Sequence, residues 1–143
     1  MNIANDIRNL FSIFHDGTIV AIEKTGNDLR LKIDIQYLAE LVEKEFEFFE
    51  VLLQQVSTFE LATWDDGLVA DPEKIATLEF GIQSADLNET GRILVHGDYY
   101  PNGGGTLTIE ASACELYDQR GDRMSLDHLK ELSRYYWDEV MGR

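Results

Sequence analysis

The chain has 143 residues, with 12 Lys and Arg against 27 Asp and Glu, a net charge of −15 at pH 7. That length builds one domain around one core, and 44% hydrophobic residues with 10% aromatics exclude a disordered chain. An isoelectric point near 4.4 argues against broad affinity for nucleic acid or anionic membrane, which need basic surface, and a single cysteine, Cys114, excludes an internal disulfide.

Met1 to Gly17 carries Asp6 and Arg8 within its apolar stretch, so it reads as neither a signal nor a transit peptide. No apolar run approaches membrane-spanning length. The expectation is one cytoplasmic domain spanning 1–143, without repeats or Pro-rich linkers. Ile3, Ile7, Leu10, Phe11 and Phe14 fall on one face of a 3.6-residue period, which predicts a first helix with Asn2 as its cap. His15-Asp16-Gly17 ends it. Leu29, Leu31, Ile33 and Ile35 then alternate with Arg30, Lys32, Asp34 and Gln36, the pattern of a half-buried strand. The turn residues Thr25-Gly26-Asn27-Asp28 pair that strand with Ile19 to Lys24 as a hairpin.

Tyr37 to Trp64 carries two periods. Leu38, Leu41, Val42, Phe46, Phe49, Leu53 and Val56 suit a long helix, whereas the Phe-, Val- and Thr-rich stretch from Phe46 to Trp64 suits strand. The preferred reading is a short helical turn over Tyr37 to Lys44, then strand. Turns at Asn88 to Gly91, Asn102 to Gly105 and Asp118 to Asp122 separate strands at Thr77 to Ala85, Arg92 to Tyr99 and Thr106 to Tyr117, with a bulge near Ser112 where the alternation changes parity. Ser125 caps a last helix with Asp127 in its first turn, an apolar stripe of Leu129, Leu132, Tyr136 and Val140, and a stop at Gly142. The fold class is therefore α+β: an antiparallel sheet of about six strands with an N-terminal and a C-terminal amphipathic helix packed on it.

The charge is uneven. Glu40 to Thr90 holds 13 acids and two cations, a balance of −11, which leaves −4 for the other 92 residues. A charge run is commonly a solvated face, but a concentrated one also steers and pairs with a basic partner, and an exposed aromatic would anchor such an interface. The candidate binding residues are Glu40, Glu43, Glu47, Glu50, Asp65 and Asp66, with Trp64 as anchor beside Phe48 and Phe49.

Chemistry-bearing motifs are sparse. His15-Asp16 has the residue pair of HD-class metal-dependent phosphohydrolases, whose further ligands on several helices this strand-rich chain does not offer. His96 and Asp98, at i and i+2 on a strand, point to one side and could share a metal with a third ligand such as His15. These four residues, His15, Asp16, His96 and Asp98, are the weak metal candidates. His128 has no ligand spacing to another histidine. Asp65-Asp66-Gly67 with Asp71 lacks the alternating ligands of a calcium loop, and the Gly103 to Gly105 run precedes neither Lys-Ser/Thr nor a helix, so it is not a phosphate cradle. Cys114 reads as core packing, and no serine or cysteine has an identifiable base.

The segments Phe14-His15-Asp16-Gly17-Thr18-Ile19, the Gly-rich turn before Thr106-Leu107-Thr108-Ile109, and Ser125-Leu126 through Tyr135-Tyr136-Trp137-Asp138-Glu139 resemble small uncharacterised bacterial proteins grouped loosely with the immunity proteins of polymorphic toxin systems. The resemblance implies an intracellular, acidic, single-domain α+β protein that neutralises a partner by binding it. It brings no catalytic residue.

The resulting expectation is a non-enzymatic acidic interaction protein that docks on a basic protein partner, needs no cofactor, and contacts neither nucleic acid nor membrane. Two alternatives stand beside it: a small metal-dependent hydrolase or ligand-binding protein using His15, Asp16, His96 and Asp98, and a homodimeric structural protein joined through an edge strand.

Overall fold

A computed structural model describes residues 3–141. Helix α1 (Ile3–Ile13) buries Ile7, Leu10 and Phe11, the face set by the 3.6-residue spacing. It stops where Asp16 takes a positive φ of 74° and the Gly17 amide donates to the Phe14 carbonyl at 2.8 Å. Strands β1 (Thr18–Thr25) and β2 (Asp28–Asp34) form the expected hairpin, turning at Gly26 with φ +62°, a conformation glycine adopts without a Cβ clash. Leu29, Leu31 and Ile33 of β2 face inward and Arg30 and Lys32 outward, as the alternation requires.

The ambiguous stretch resolves into a short helix α2 (Gln36–Ala39), turns as far as Glu45, then strands β3 (Phe48–Gln54) and β4 (Thr58–Thr63). After β4 come β5 (Leu68–Val69), helix α3 (Pro72–Thr77), β6 (Phe80–Leu87), β7 (Ile93–Tyr99), β8 (Gly103–Glu110), β9 (Ala113–Tyr117), β10 (Arg123–Met124) and helix α4 (Leu126–Tyr135), which runs into a π turn over Tyr136–Val140. Asp71 caps α3 by accepting from the Glu73 amide, and Ser125 caps α4 by accepting from the His128 amide.

The sheet is antiparallel, in the order β10-β9-β3-β2-β1-β6-β7-β8-β4-β5. It has ten strands rather than about six. Two of the extra strands are two-residue edges, β5 and β10, and two more arise because long extended segments bend. The chain kinks at Gln55, where φ is +51°, so β3 and β4 are successive arms of one segment; β8 and β9 are arms of another, bent at Ala111 and Ser112. The arms pair with each other on both sides of the bend, Gln54 opposite Ala113 and Thr58 opposite Glu110. The strand order consequently returns to its start, and the sheet coils into a barrel-like wall.

One hydrophobic core fills the inside. Phe49, Val51 and Leu53 of β3, Leu61 of β4, Val95 of β7 and Leu107 and Ile109 of β8 join Ile7, Phe11 and Phe14 there, each essentially sealed from solvent. Helix α1 packs on β6 and β7 and touches α4, while α3 packs on β1, β4 and β5. Full burial of each Leu, Ile or Phe contributes about 1.5–3 kcal/mol, so this single cluster, not the polar outer face, carries the fold.

Three details depart from the sequence expectation. Thr77 ends helix α3 and strand begins only at Phe80, because Pro72 opens a helix whose Ile75 is needed in the core. The glycine run opens β8 instead of forming the turn, which lies at Tyr100-Pro101-Asn102 with a cis Tyr100–Pro101 bond. Val140 is exposed rather than buried, because the π turn resets the helical period before reaching it. The proposed cap Asn2 and stop Gly142 lie outside the described residues. No helix among the described residues is long and apolar enough to cross a membrane.

Candidate functional site

The acidic stretch does not form one surface. Its first part surrounds β3. Glu40 closes α2 and is exposed. Glu43 forms an ion pair with Arg120, whose guanidinium also lies 5.4 Å from the Phe46 ring centre. The Glu47 amide donates to the Gln119 side chain at 2.6 Å, holding the chain beside the Asp118 to Asp122 turn. Glu50, on the outer face of β3, lies 4.0 Å from Arg30. Phe48 is covered by the Lys32 ammonium, 4.1 Å from its ring centre, and Phe49 is buried. Two of the four candidate glutamates there, Glu43 and Glu50, are already paired with cations of the same chain.

The second part lies at the far end of the bent β3–β4 segment and is different in kind. Trp64 follows β4 and is 66% exposed, yet its ring is not loose. Its amide donates to the Gly104 carbonyl at 2.9 Å, and the indole lies over Gly104, where a Cβ would come within 2.5 Å of it. Gly104 opposes Asp98 in the β7–β8 ladder, and both face outward, because Val95 and Gly97 take the inward positions of β7. Asp65 and Asp66 follow Trp64 directly. The Thr63 hydroxyl donates to Asp65 and holds that carboxyl below its usual range. Leu68, at 63%, and Tyr100, at 91% exposed in the neighbouring β7–β8 turn, complete an aromatic and acidic rim. A seated indole beside carboxylates forms a surface that anchors by apolar contact and selects by charge.

The histidines sit in separate environments. His15 ends α1, with Nδ1 2.9 Å from the Ser12 carbonyl, Nε2 4.0 Å from Asp16, and its ring stacked on Trp137 at 5.4 Å between centres. Tyr37 joins this group: its hydroxyl donates to the His15 carbonyl at 3.2 Å and its ring lies 4.3 Å from that of Tyr136. Burial, then Asp16, then Tyr136 push its phenol up to about 12. His15 and Asp16 thus belong to an aromatic clasp that fastens the end of α4 to the α1–β1 corner.

His96 spans three strands. Nδ1 lies 3.0 Å from Thr106 Oγ1 on β8 and Nε2 3.0 Å from Asp86 Oδ2 on β6. A carboxylate only accepts, so neutral His96 carries its proton on Nε2, donating to Asp86, and accepts a hydrogen bond from the Thr106 hydroxyl at Nδ1. The order hydroxyl, imidazole, carboxylate is the one that activates nucleophiles, but the three lie on the outer sheet face with the Asp86 side chain 70% exposed. Asp98 turns away to Gln83, whose amide donates to it at 2.9 Å. Among the described residues no three His, Cys, Asp or Glu side chains converge as a metal site. Cys114 is half-buried, its thiol pushed up by burial, then by Asp6 and Glu115, so little thiolate forms near neutrality.

Asp86, Thr106, Leu68 and Tyr100 were not among the sequence candidates. Tyr100 had a usable signal, an aromatic beside Pro101 in a turn; the other three depend on strand register. Comparison with known proteins finds no matching family model, and no curated protein or solved structure that matches the chain.

Proposed function

We propose that the chain is a non-enzymatic acidic interaction protein that docks on a basic protein partner, as an immunity protein docks on its toxin, and that the docking surface is the Trp64 end of the sheet. The observation that carries this reading is Trp64 itself: a large ring held 66% exposed over Gly104, with Asp65 and Asp66 next in the chain. Exposed tryptophans and tyrosines commonly dominate binding energy when a partner covers them. The carboxylates around the ring supply steering and orientation toward cationic side chains. The glutamates near β3 are secondary in this reading, because Glu43 and Glu50 already pair with Arg120 and Arg30.

The test is affinity capture from the native cell lysate at low and moderate salt, with wild-type protein beside Trp64→Ala, Asp65→Lys/Asp66→Lys and Glu43→Lys/Glu47→Lys/Glu50→Lys. The expected result is a stoichiometric basic protein held by the wild type, released as salt rises, lost with the first two variants and retained by the third. A partner that survives both changes at the Trp64 end overturns the assignment of the surface, and a partner that is not basic overturns the mechanism.

A further inference from the structure

We propose that the open mouth of the coiled sheet is a binding site for a small amphipathic carboxylate. Strand β1 pairs with β2 along its whole length but with β6 only at Thr18 and Ile19. Beyond Ile19 the wall parts, and α3 packs on β1 and β4 in the gap. Outside that plug lies a cleft of about 360 Å³, within the ~300–1,000 Å³ range of small-ligand sites and at a barrel mouth, where such sites recur. It shares strand β4 with the Trp64 surface but none of its residues, so substitutions in its lining test it separately from the docking reading.

The chemistry of the lining selects the ligand. Leu29 and Phe59, almost fully buried, form an apolar floor, which accepts a hydrocarbon body. Lys24 and Arg92 reach the cleft from the β1–β2 tip and the start of β7. Arg92 is committed to Glu110 at 3.5 Å, and the same carboxylate oxygen accepts from the hydroxyls of Ser57 and Thr58. Lys24 forms none of the ion pairs found among the described residues. In a chain of net charge −15, this unpaired ammonium above an apolar floor is complementary to one negative charge on an apolar stem. Glu60, also in the lining, opposes a second negative charge and so restricts the ligand to a monoanion.

The probe is octanoate, titrated into the whole protein and followed by amide chemical shifts, with neutral 1-octanol as the comparison. Saturable octanoate shifts confined to Asn27 and to 56–60 are expected. Lys24→Gln should weaken octanoate binding about two- to fivefold and Glu60→Gln should strengthen it by a similar factor, the scale of single exposed charge pairs. Neither substitution should alter octanol binding. Both residues are on the surface, and an unchanged spectrum away from the cleft reports that each variant folds. The proposal is overturned if no cleft-localised shift develops by about 10 mM ligand, beyond which affinity is too weak to be specific. It is equally overturned if octanoate and octanol respond alike to the two substitutions.

Discussion

The indole of Trp64 rests on Gly104, and the same glycine is pressed from another side by the Gly97 carbonyl, 2.8 Å from where a Cβ would stand. The two contacts differ in kind. The ring can swing away, but the carbonyl belongs to the β7–β8 ladder and cannot. Gly104→Ala should therefore both displace the ring and strain the sheet, with a loss of about 1–3 kcal/mol typical of overpacking. Chemical denaturation of Gly104→Ala with and without Trp64→Ala separates the two: the second substitution should recover only part of the loss. In the wild type, the Gly104 α-protons should be shifted upfield by the ring above them, and Trp64→Ala should remove that shift. Full recovery in the double variant would show that the backbone contact is slack.

The phenol of Tyr37 makes a prediction about alkaline stability. Burial, Asp16 and Tyr136 push its pKa from 10.0 to about 12, so the folded state favours the neutral phenol. The resulting stability is complete below pH 10 and is lost as pH rises through about 12. An ultraviolet titration of the six tyrosines should show late steps from Tyr37 and from Tyr117, whose hydroxyl is held by Glu115. Tyr37→Phe should delete one of them. Asp16→Asn should move the Tyr37 step toward lower pH, since it removes a neighbouring negative charge. Loss of near-ultraviolet signal from Trp137 alongside the Tyr37 step would show that the clasp opens with ionisation.

How much of this was legible depends on how local each cause is. Helix α1 and strand β2 could be read residue by residue because each buries one face, and burial imposes its period on adjacent residues. The stretch from Phe46 to Trp64 was legible as strand but not as two strands. Its division rests on Gln55 at positive φ and on a matching bend at Ala111 and Ser112 in a segment more than fifty positions away. Val140 fell on the right helical spacing and is still exposed, because a π turn intervenes. The acidic stretch looked like one surface because sequence shows charge density without pairing; Arg120 and Arg30 come from elsewhere to pair with Glu43 and Glu50. The seat of Trp64 on Gly104 was hidden by the same limit.

The Thr106–His96–Asp86 line depends on the registers of three strands and yields a spectroscopic prediction. Nitrogen chemical shifts of His96 near neutral pH should show Nε2 protonated and Nδ1 as acceptor. Asp86→Asn offers an amide that can donate as well as accept, so this tautomer should lose its preference. Thr106→Val should leave the tautomer in place and cost about 1 kcal/mol, the net scale of one hydrogen bond. If wild-type His96 is protonated on Nδ1 instead, the orientation drawn from Asp86 is wrong.

The inward and outward registers of β3 are tested by two neighbouring phenylalanines. Phe49 pairs with Ile33 across the ladder, is fully buried, and lies 5.5 Å from Phe14 between ring centres. Phe48 pairs with Asp34 on the outer face, under the Lys32 ammonium. Phe49→Ala should cost about 3–5 kcal/mol, because it opens a cavity the rigid sheet cannot close. Phe48→Ala loses partial burial and one cation–π contact, worth about 0.5–1 kcal/mol at an exposed site, and should cost far less. Denaturation of the two variants under the same conditions reads the difference directly. Equal losses would mean that β3 is shifted by one residue, which would also move Glu50 from the outer face to the core and undo its pairing with Arg30.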